Sequence, residues 1–164
     1  MKVIFLDIDG VIKEDFAGAP FLDGSLSVLK EAVDETNAKL VMSSTWKVKY
    51  RDFIENGCKT EFDDIKKLYN ALCEHGLSIY DYTPLIRIEH EIRRPTEIKE
   101  YIKSTKNIEG FCILDDRDEF LWEDLSKNLV LTNLGNDENG KKTAHLTEAH
   151  KQKIVDILNK EIRN

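Results

Sequence analysis

An apolar run that ends in two aspartates constrains the fold of this 164-residue chain more than any other feature. The segment FLDIDGVI spans residues 5–12, in which Phe5 and Leu6 have the character of the end of a buried strand, and Asp7 and Asp9 follow them. Two carboxylates at the mouth of a hydrophobic sheet repel each other unless a positive group lies beside them. We therefore expect that a metal ion or a reaction requires this pair.

Apolar runs alternate with helical patterns along the chain. Strands are predicted at residues 2–6, 39–45, 78–85, 110–116 and 128–132, and helices at residues 25–38, 62–77, 94–105 and 143–162. Local signals support two of the helices: Asp63 and Gly76 are placed to cap and end the second, and Pro95 lies just inside the start of the third. The alternation predicts a doubly wound α/β fold with a mainly parallel sheet, and the length suits one domain over residues 1–164.

Polar residues follow three of the predicted strands at the point where each strand ends. Asp7 and Asp9 come after the first strand, Ser-Ser-Thr at residues 43–45 ends the second, and Asp115 and Asp116 end the fourth. Ligands of doubly wound sheets bind at the carboxyl ends of the strands. Carboxylates gathered there need a cation, and oxygen ligands without paired histidine or cysteine favour Mg²⁺. The pattern predicts a magnesium site formed by Asp7, Asp9, Asp115 and Asp116.

Carboxylates beside Mg²⁺ are suited to phosphoryl transfer. One carboxylate can attack phosphorus and form an aspartyl-phosphate. A second can protonate the leaving alcohol and then activate water. Hydroxyl donors and one fixed cation would stabilise the charge that develops on the phosphoryl oxygens. We therefore predict a phosphatase that requires Mg²⁺.

Four short motifs between residues 3 and 132 resemble, in order, those of the haloacid dehalogenase (HAD) superfamily of aspartate-nucleophile phosphotransferases. The first motif of that superfamily is D-x-D-G, which Asp7-Ile8-Asp9-Gly10 matches. The resemblance implies a Rossmann-like domain of the HAD type. It also implies Asp7 as nucleophile and metal ligand, and Asp9 as general acid and base whose main-chain carbonyl contacts Mg²⁺.

The other three motifs of the resemblance leave alternatives open. The hydroxyl residue of the second motif is Ser43 or Ser44, although either could instead cap a following helix. The basic residue of the third motif is Arg94, with Arg93 as the alternative, and Arg94 could also be a surface residue paired with a nearby glutamate. The acidic pair after the fourth predicted strand matches the fourth motif, and its first member, Asp115, is the expected direct ligand.

A second likeness covers more of the chain. The segments SSTWK, YTPLI, RRPTEIKEYI, CILDD and LVLT resemble the capless HAD domain of Swiss Army Knife RNA repair proteins. This resemblance implies a phosphatase that acts on nucleotide or nucleic-acid-end phosphates. Pro95 stands where the pattern has glycine, which leaves the direction of the Arg94 side chain open. No stretch between the motifs is long enough for a globular cap domain, so we expect an open site.

A segment that mixes aromatic and basic residues follows the second predicted strand. In TWKVKYR, residues 45–51, Trp46 or Tyr50 could stack on a base, and Lys47, Lys49 or Arg51 could meet backbone phosphates. The same pattern also fits a solvated helix face with two core contacts. Trp46 and Lys47 are therefore candidate substrate-binding residues.

Composition and charge narrow the classes of partner. The net charge of −7 argues against binding to duplex nucleic acid or to an anionic membrane. The first apolar run is too short for a signal or membrane segment, which predicts a cytoplasmic protein. The three cysteines and four histidines have no metal-binding spacing, and we expect the histidines in solvent. Besides a phosphorylated nucleotide or nucleic-acid end, sugar phosphates are an alternative substrate, and a catalytically silent HAD-like binding domain is an alternative function.

Overall fold

A five-stranded parallel sheet organises the computed structural model of this chain, in which residues 1–88, 91–92, 94–118 and 122–160 are described. The strands are β1 (Lys2–Leu6), β2 (Lys39–Met42), β3 (Ile79–Tyr82), β4 (Arg87–Ile88), β5 (Glu91–Ile92), β6 (Gly110–Asp115), β7 (Leu129–Leu131), β8 (Asn133–Asn136) and β9 (Lys142–Ala144). The order in the sheet is β3-β2-β1-β6-β7, with every neighbouring pair parallel. This arrangement confirms the predicted doubly wound α/β fold.

Helices cover both faces of the sheet. They are α1 (Asp23–Thr36), α2 (Lys47–Glu55), α3 (Asp63–Glu74), α4 (Arg94–Ser104) and α5 (Glu148–Lys160), with a 3-10 helix at Glu123–Asn128. Apolar side chains of α1, α2, α3 and α5 pack in one core cluster, and those of α4 and the 3-10 helix pack in a second. Parallel strands joined by helical crossovers are buried in this way on both faces.

The alternation of side chains along β1 decides which residues meet each helical layer. Ile4 and Leu6 belong to the core with α1 and α5, whereas Val3 and Phe5 belong to the core with α4. Successive side chains of a strand point to opposite faces of the sheet. Asp7, the next residue after Leu6, therefore falls on the α4 face.

The predicted strands are close to the observed ones, and two helices differ. The predicted helix at residues 143–162 is wrong at its start, because α5 begins at Glu148 and residues 143–144 belong to β9, which pairs antiparallel with β8. The region after β2 holds α2 as well as α3, where one helix was predicted. Asp63 is the first residue of α3 and makes no side-chain cap, since the N-cap position is Phe62.

Connections between the sheet strands leave the carboxyl edge of the sheet uncovered by any cap domain within the described residues. The segment between β1 and β2 holds a loop and α1, and the β4–β5 and β8–β9 pairs are small two-stranded sheets. In the described part of the chain, no helix has the length and apolar character needed to cross a membrane.

Candidate active site

The register of three strands brings Asp7, Ser43 and Asp115 side by side. Phe5 pairs with Val41 of β2 and with Ile113 of β6, and the pairing continues to the ends of these strands. The Asp7 amide donates to the carbonyl of Leu114 at 3.0 Å, and the Ser43 amide donates to the carbonyl of Leu6 at 3.0 Å. Because Val41, Phe5 and Ile113 all belong to the α4 core, the residues two positions further on fall on that same face.

Three buried carboxylates form an acidic cluster at this edge. Asp7, Asp115 and Asp116 are 3%, 0% and 1% exposed. Each offers one oxygen, and these oxygens all lie within 4.8 Å of one another. Such crowding in a buried place requires positive charge nearby.

Arg94 supplies part of that charge from the first turn of α4. Its Nη1 atom lies 2.8 Å from Asp7 Oδ2 and 2.6 Å from Asp115 Oδ2. Burial alone would lower the pKa of the guanidinium, but the two carboxylates outweigh burial and raise that pKa. Arg94 is therefore a buried bridge between two acids, not a surface residue. Arg93, the alternative for this role, lies outside the described residues.

The two neighbouring aspartates at the carboxyl end of β6, Asp115 and Asp116, have different partners. Asp115 accepts bonds on both oxygens, from Arg94 on Oδ2 and from the Arg117 amide on Oδ1 at 3.0 Å. Asp116 Oδ2 accepts a bond from Lys142 Nζ at 3.2 Å. Burial raises the pKa of Asp115 to about 7, with a further contribution from the Asp7 charge and opposition from Arg94. Burial also raises the pKa of Asp116, against the opposing effect of Lys142.

Lys142 is a site residue that the sequence analysis missed. It lies on β9, in a hairpin whose connection between β8 and β9 is rich in asparagine, aspartate and glycine. That composition is typical of a hairpin turn and could have indicated one. The contact between Lys142 and Asp116, 26 residues apart in the chain, follows from packing and has no local signal.

Gly10 allows the first motif to approach the fourth. Its φ is +73°, and a Cβ atom built there would lie 2.4 Å from Asp116 Cγ. The Gly10 carbonyl also accepts a bond from the buried Thr132 Oγ1 at 2.6 Å. A residue with a side chain would both strain the backbone and collide with Asp116.

Asp9 lies apart from the acidic cluster and is held by two donors. Lys13 Nζ donates to its Oδ1 at 2.7 Å, and Trp46 Nε1 donates to its Oδ2 at 2.7 Å. Its side chain is 35% exposed and lines a cavity of about 700 Å³ beside the loop at residues 15–21. Other residues of this cavity include Phe16, Phe21, Trp46, Lys13 and Lys67.

The two serines of the second motif are both buried but differ in position. Ser43 follows β2 on the α4 face beside Asp7, and its Oγ has no hydrogen-bond partner among the described residues. The Ser44 carbonyl accepts the amide of Lys47 and so belongs to the turn that starts α2. A buried hydroxyl without a partner is costly unless a ligand completes it.

Lys47 lies inside the protein, away from the open mouth that was expected for it. Its Nζ donates to Thr83 Oγ1 at 2.9 Å, to the Pro84 carbonyl at 3.1 Å and to Glu97 Oε2 at 2.5 Å. Burial lowers the pKa of this ammonium, and Glu97 opposes that effect. Since an ammonium has three donors, this arrangement occupies all of them.

Two aromatic residues that were expected to stack on a base, and one histidine that was expected in solvent, differ in their burial. Tyr50 is buried against Phe53 and Tyr82, so it is not a surface for stacking. Trp46 is half-buried and lines both the cavity beside Asp9 and a second cavity of about 590 Å³. His150, expected in solvent, is buried next to Thr147.

Comparison with known protein families gives a match over most of the chain. The model of a family described as the HAD domain in Swiss Army Knife RNA repair proteins matches residues 3–136. The curated proteins and the solved structures compared with this chain contain no match. The matched range contains Asp7, Arg94 and the Asp115-Asp116 pair, and the buried acidic cluster is consistent with a HAD active site.

Proposed function

We propose that this chain, which belongs to the family of HAD domains in Swiss Army Knife RNA repair proteins, is a magnesium-dependent phosphatase of nucleic-acid-end or nucleotide phosphates. The observation that carries the proposal is the buried cluster of Asp7, Asp115 and Asp116, in which Arg94 bridges the first two. Three crowded carboxylates destabilise a fold, and a reaction that needs them is the simplest reason for their presence.

The donor set of the cluster fits Mg²⁺. All of its side-chain ligands are carboxylate oxygens, which this hard cation prefers. Asp7 and Asp116 would hold the ion together with the main-chain carbonyl of Asp9. Asp116 suits this role better than Asp115, because each oxygen of Asp115 already accepts one hydrogen bond, whereas Asp116 accepts one on Oδ2 alone among the described residues. The bound ion would neutralise charge on the phosphoryl oxygens.

The proposed reaction runs in two displacements at phosphorus. In the first, an oxygen of Asp7 forms a bond to phosphorus while the bond to the ester oxygen breaks. The ester oxygen keeps the bonding electron pair, takes the proton that the Asp9 carboxyl group carries and leaves as an alcohol, so that Asp9 becomes the carboxylate that acts in the second displacement. In the second, Asp9 takes a proton from water, whose oxygen bonds to phosphorus as the bond to Asp7 breaks, releasing inorganic phosphate. Arg94 keeps the Asp7 carboxylate in place during both.

Ser43 would donate a hydrogen bond to the phosphoryl group. Its Oγ lies buried on the same face as Asp7 and has no partner among the described residues. A phosphate oxygen would supply the missing acceptor at the position where negative charge develops. We therefore assign the second-motif role to Ser43 in preference to Ser44.

The cavity beside Asp9, which we call the leaving-group cavity from here on, supports a substrate that carries a base. It adjoins Asp9, which serves the leaving oxygen, and its lining includes the rings of Phe16, Phe21 and Trp46. Aromatic rings suit stacking on a base. Without a cap domain among the described residues, the rest of a strand could lie across the open edge of the sheet.

The catalytic assignment is tested with Asp7→Asn. The amide is nearly isosteric and cannot attack phosphorus, so we expect turnover with Mg²⁺ to fall by about a thousand-fold or more, with the fold retained. Asp34→Asn, which removes a carboxylate from an exposed pair with Lys30, is the matched control and should keep full activity. Near-normal turnover by purified Asp7→Asn, or wild-type turnover that persists in excess chelator, would contradict the proposal.

The substrate class is tested separately. End-phosphorylated single-stranded oligonucleotides and nucleoside monophosphates should have higher kcat/KM than sugar phosphates of the same leaving-group chemistry. A preference for sugar phosphates would reject the nucleic-acid assignment and leave the phosphatase chemistry in place. Absence of turnover on every ester would favour a silent binding domain.

A further inference from the structure

We propose that Trp46 is a positioning residue, whose indole N–H acts with the Lys13 ammonium to hold the Asp9 carboxylate toward the leaving-group oxygen. The inference rests on the proposed function, because it concerns the residue that transfers the proton. It also gives Trp46 a role different from the base stacking considered above.

The hydrogen bonds to Asp9 fix both of its oxygens. Trp46 Nε1 donates to Oδ2 and Lys13 Nζ donates to Oδ1, each at 2.7 Å. The two donors come from separate parts of the chain, the loop after β1 and the turn before α2. Since the Asp9 side chain is 35% exposed, it would have several rotamers in solvent without these partners. With them, one orientation facing the leaving-group cavity is selected.

The side chains of Trp46 and Lys13 are themselves held in place by neighbouring groups. The Trp46 ring packs edge-to-face on Phe21, with 6.1 Å between ring centroids. Lys13 Nζ lies 5.8 Å from the centre of the Trp46 ring and also donates to the Glu14 carbonyl at 3.1 Å. Lys13 is buried, so its ammonium depends on these partners and does not move freely into solvent. The three side chains therefore form one contiguous unit at the cavity wall.

The consequence concerns proton transfer to the leaving oxygen. Each Asp9 oxygen accepts one bond and keeps a further lone pair that can carry the transferred proton. Proton transfer requires hydrogen-bond distance to the ester oxygen, and a displacement of about 1 Å costs about a hundred-fold in rate. Loss of the indole donor should therefore harm esters that need a protonated leaving group, and spare those that do not.

Trp46→Phe is the variant that tests this, because it keeps an aromatic ring against Phe21 and removes the N–H donor. Release of the leaving group is measured in single turnovers on three phosphate esters: 4-nitrophenyl phosphate, a simple alkyl phosphate without a base, and a nucleoside monophosphate. The matched control is Trp122→Phe, which removes an indole donor that bonds the Arg117 carbonyl at 2.8 Å outside the cavity.

The expected result is a selective loss. Release from both the alkyl ester and the nucleotide should slow by about ten- to a hundred-fold, release from 4-nitrophenyl phosphate by less than about three-fold, and KM should change little. Trp122→Phe should leave the ratio between esters unchanged. Loss confined to the nucleotide would overturn the inference in favour of base stacking, and equal loss on all three esters would overturn it in favour of a packing role.

A measurement without turnover separates this inference from the proposed function. The indole N–H resonance of Trp46 is assigned in the NMR spectrum of wild-type protein as the one that is absent from Trp46→Phe. This resonance should shift between wild type and Asp9→Ala, whereas the Trp122 resonance should not. An unchanged Trp46 resonance would overturn the inference even in an active phosphatase. A wild-type protein that hydrolyses no ester would instead reject the proposed function, and the catalytic role of Trp46 with it.

Discussion

Gly10 is the position where a single methyl group should disturb the site most directly. In Gly10→Ala the new Cβ would lie 2.4 Å from Asp116 Cγ, and the backbone would keep an unfavourable φ of +73°. We expect a loss of about 2 kcal/mol or more in the free energy of unfolding, and a weaker stabilisation by Mg²⁺ as Asp116 is displaced. Denaturant unfolding with and without Mg²⁺ measures both.

Gly18→Ala is the control that separates the collision from the backbone strain. Gly18 has a similar φ of +77°, and no atom lies within 4 Å of its Cβ position. Its substitution should therefore cost only the strain, about 1 kcal/mol, and leave the response to Mg²⁺ unchanged. Equal effects of the two substitutions on the Mg²⁺ response would show that contact with Asp116 is not what Gly10 provides.

At the scale of elements, the buried pair of Lys47 and Glu97 joins α2 to α4 beneath the site. Glu97 Oε2 accepts a hydrogen bond from Lys47 Nζ at 2.5 Å, and Glu97 Oε1 accepts one from the Ile86 amide at 2.9 Å. Glu97 lies one turn after Arg94 in α4, so the pair links the start of α2 to the helix turn that carries the bridging guanidinium. We therefore expect the pair to fix these elements relative to one another.

A double-mutant cycle tests that link. Lys47→Met leaves Glu97 buried without its cation and should cost about 3–5 kcal/mol in the free energy of unfolding. Adding Glu97→Gln removes the unpaired charge but keeps an acceptor for Ile86, so the double variant should be more stable than Lys47→Met alone. Lys30→Met, in the exposed pair with Asp34, should cost less than about 1 kcal/mol. Strict additivity of the two buried substitutions would contradict the coupling.

At the scale of the whole molecule, the acidic cluster makes metal-free stability depend on pH. Burial raises the folded-state pKa of Asp116 above its ordinary value of 3.8, so above that value the native state binds more protons than the unfolded state. This contribution to stability is therefore lost as pH rises through the folded pKa. Asp115, with a pKa raised to about 7, acts in the same direction.

Asp116→Asn isolates this contribution from other titrating groups such as His150. Without Mg²⁺, the melting temperature of the variant should rise relative to wild type as the pH is raised from the ordinary carboxyl pKa of 3.8 to neutrality. At the higher pH, Mg²⁺ at a hundred times its Kd should stabilise the wild type by about 2.7 kcal/mol and the variant by less. A pH-independent difference, or a full Mg²⁺ response in Asp116→Asn, would count against the assignment of Asp116.

Much of the architecture could be predicted because its signals are local. The apolar runs that form β1 and β6 are each followed by or end in carboxylates. The alternation of strands with helices implies a parallel sheet, in which the carboxyl ends of all strands lie at one edge. Asp7 and Asp115-Asp116 could therefore be placed together from sequence. The start of α5 could not, because the helical periodicity of residues 143–162 does not exclude the hairpin pairing of β8 with β9 that takes residues 143–144.

What only the tertiary structure decided is which side chains meet across the chain. Asp9 and Trp46 are 37 residues apart and Lys47 and Glu97 are 50 apart, and no local pattern encodes either hydrogen bond. The position of Ser43 on the same face as Asp7, which supports the role we propose for it, depends in the same way on strand register, since a shift of one residue would turn the Ser44 hydroxyl toward Asp7. The sequence alone determined the chemistry available at the sheet edge, because motif residues follow the ends of strands. Packing determined which of those groups contact one another, because burial and strand register depend on elements that are distant in the chain.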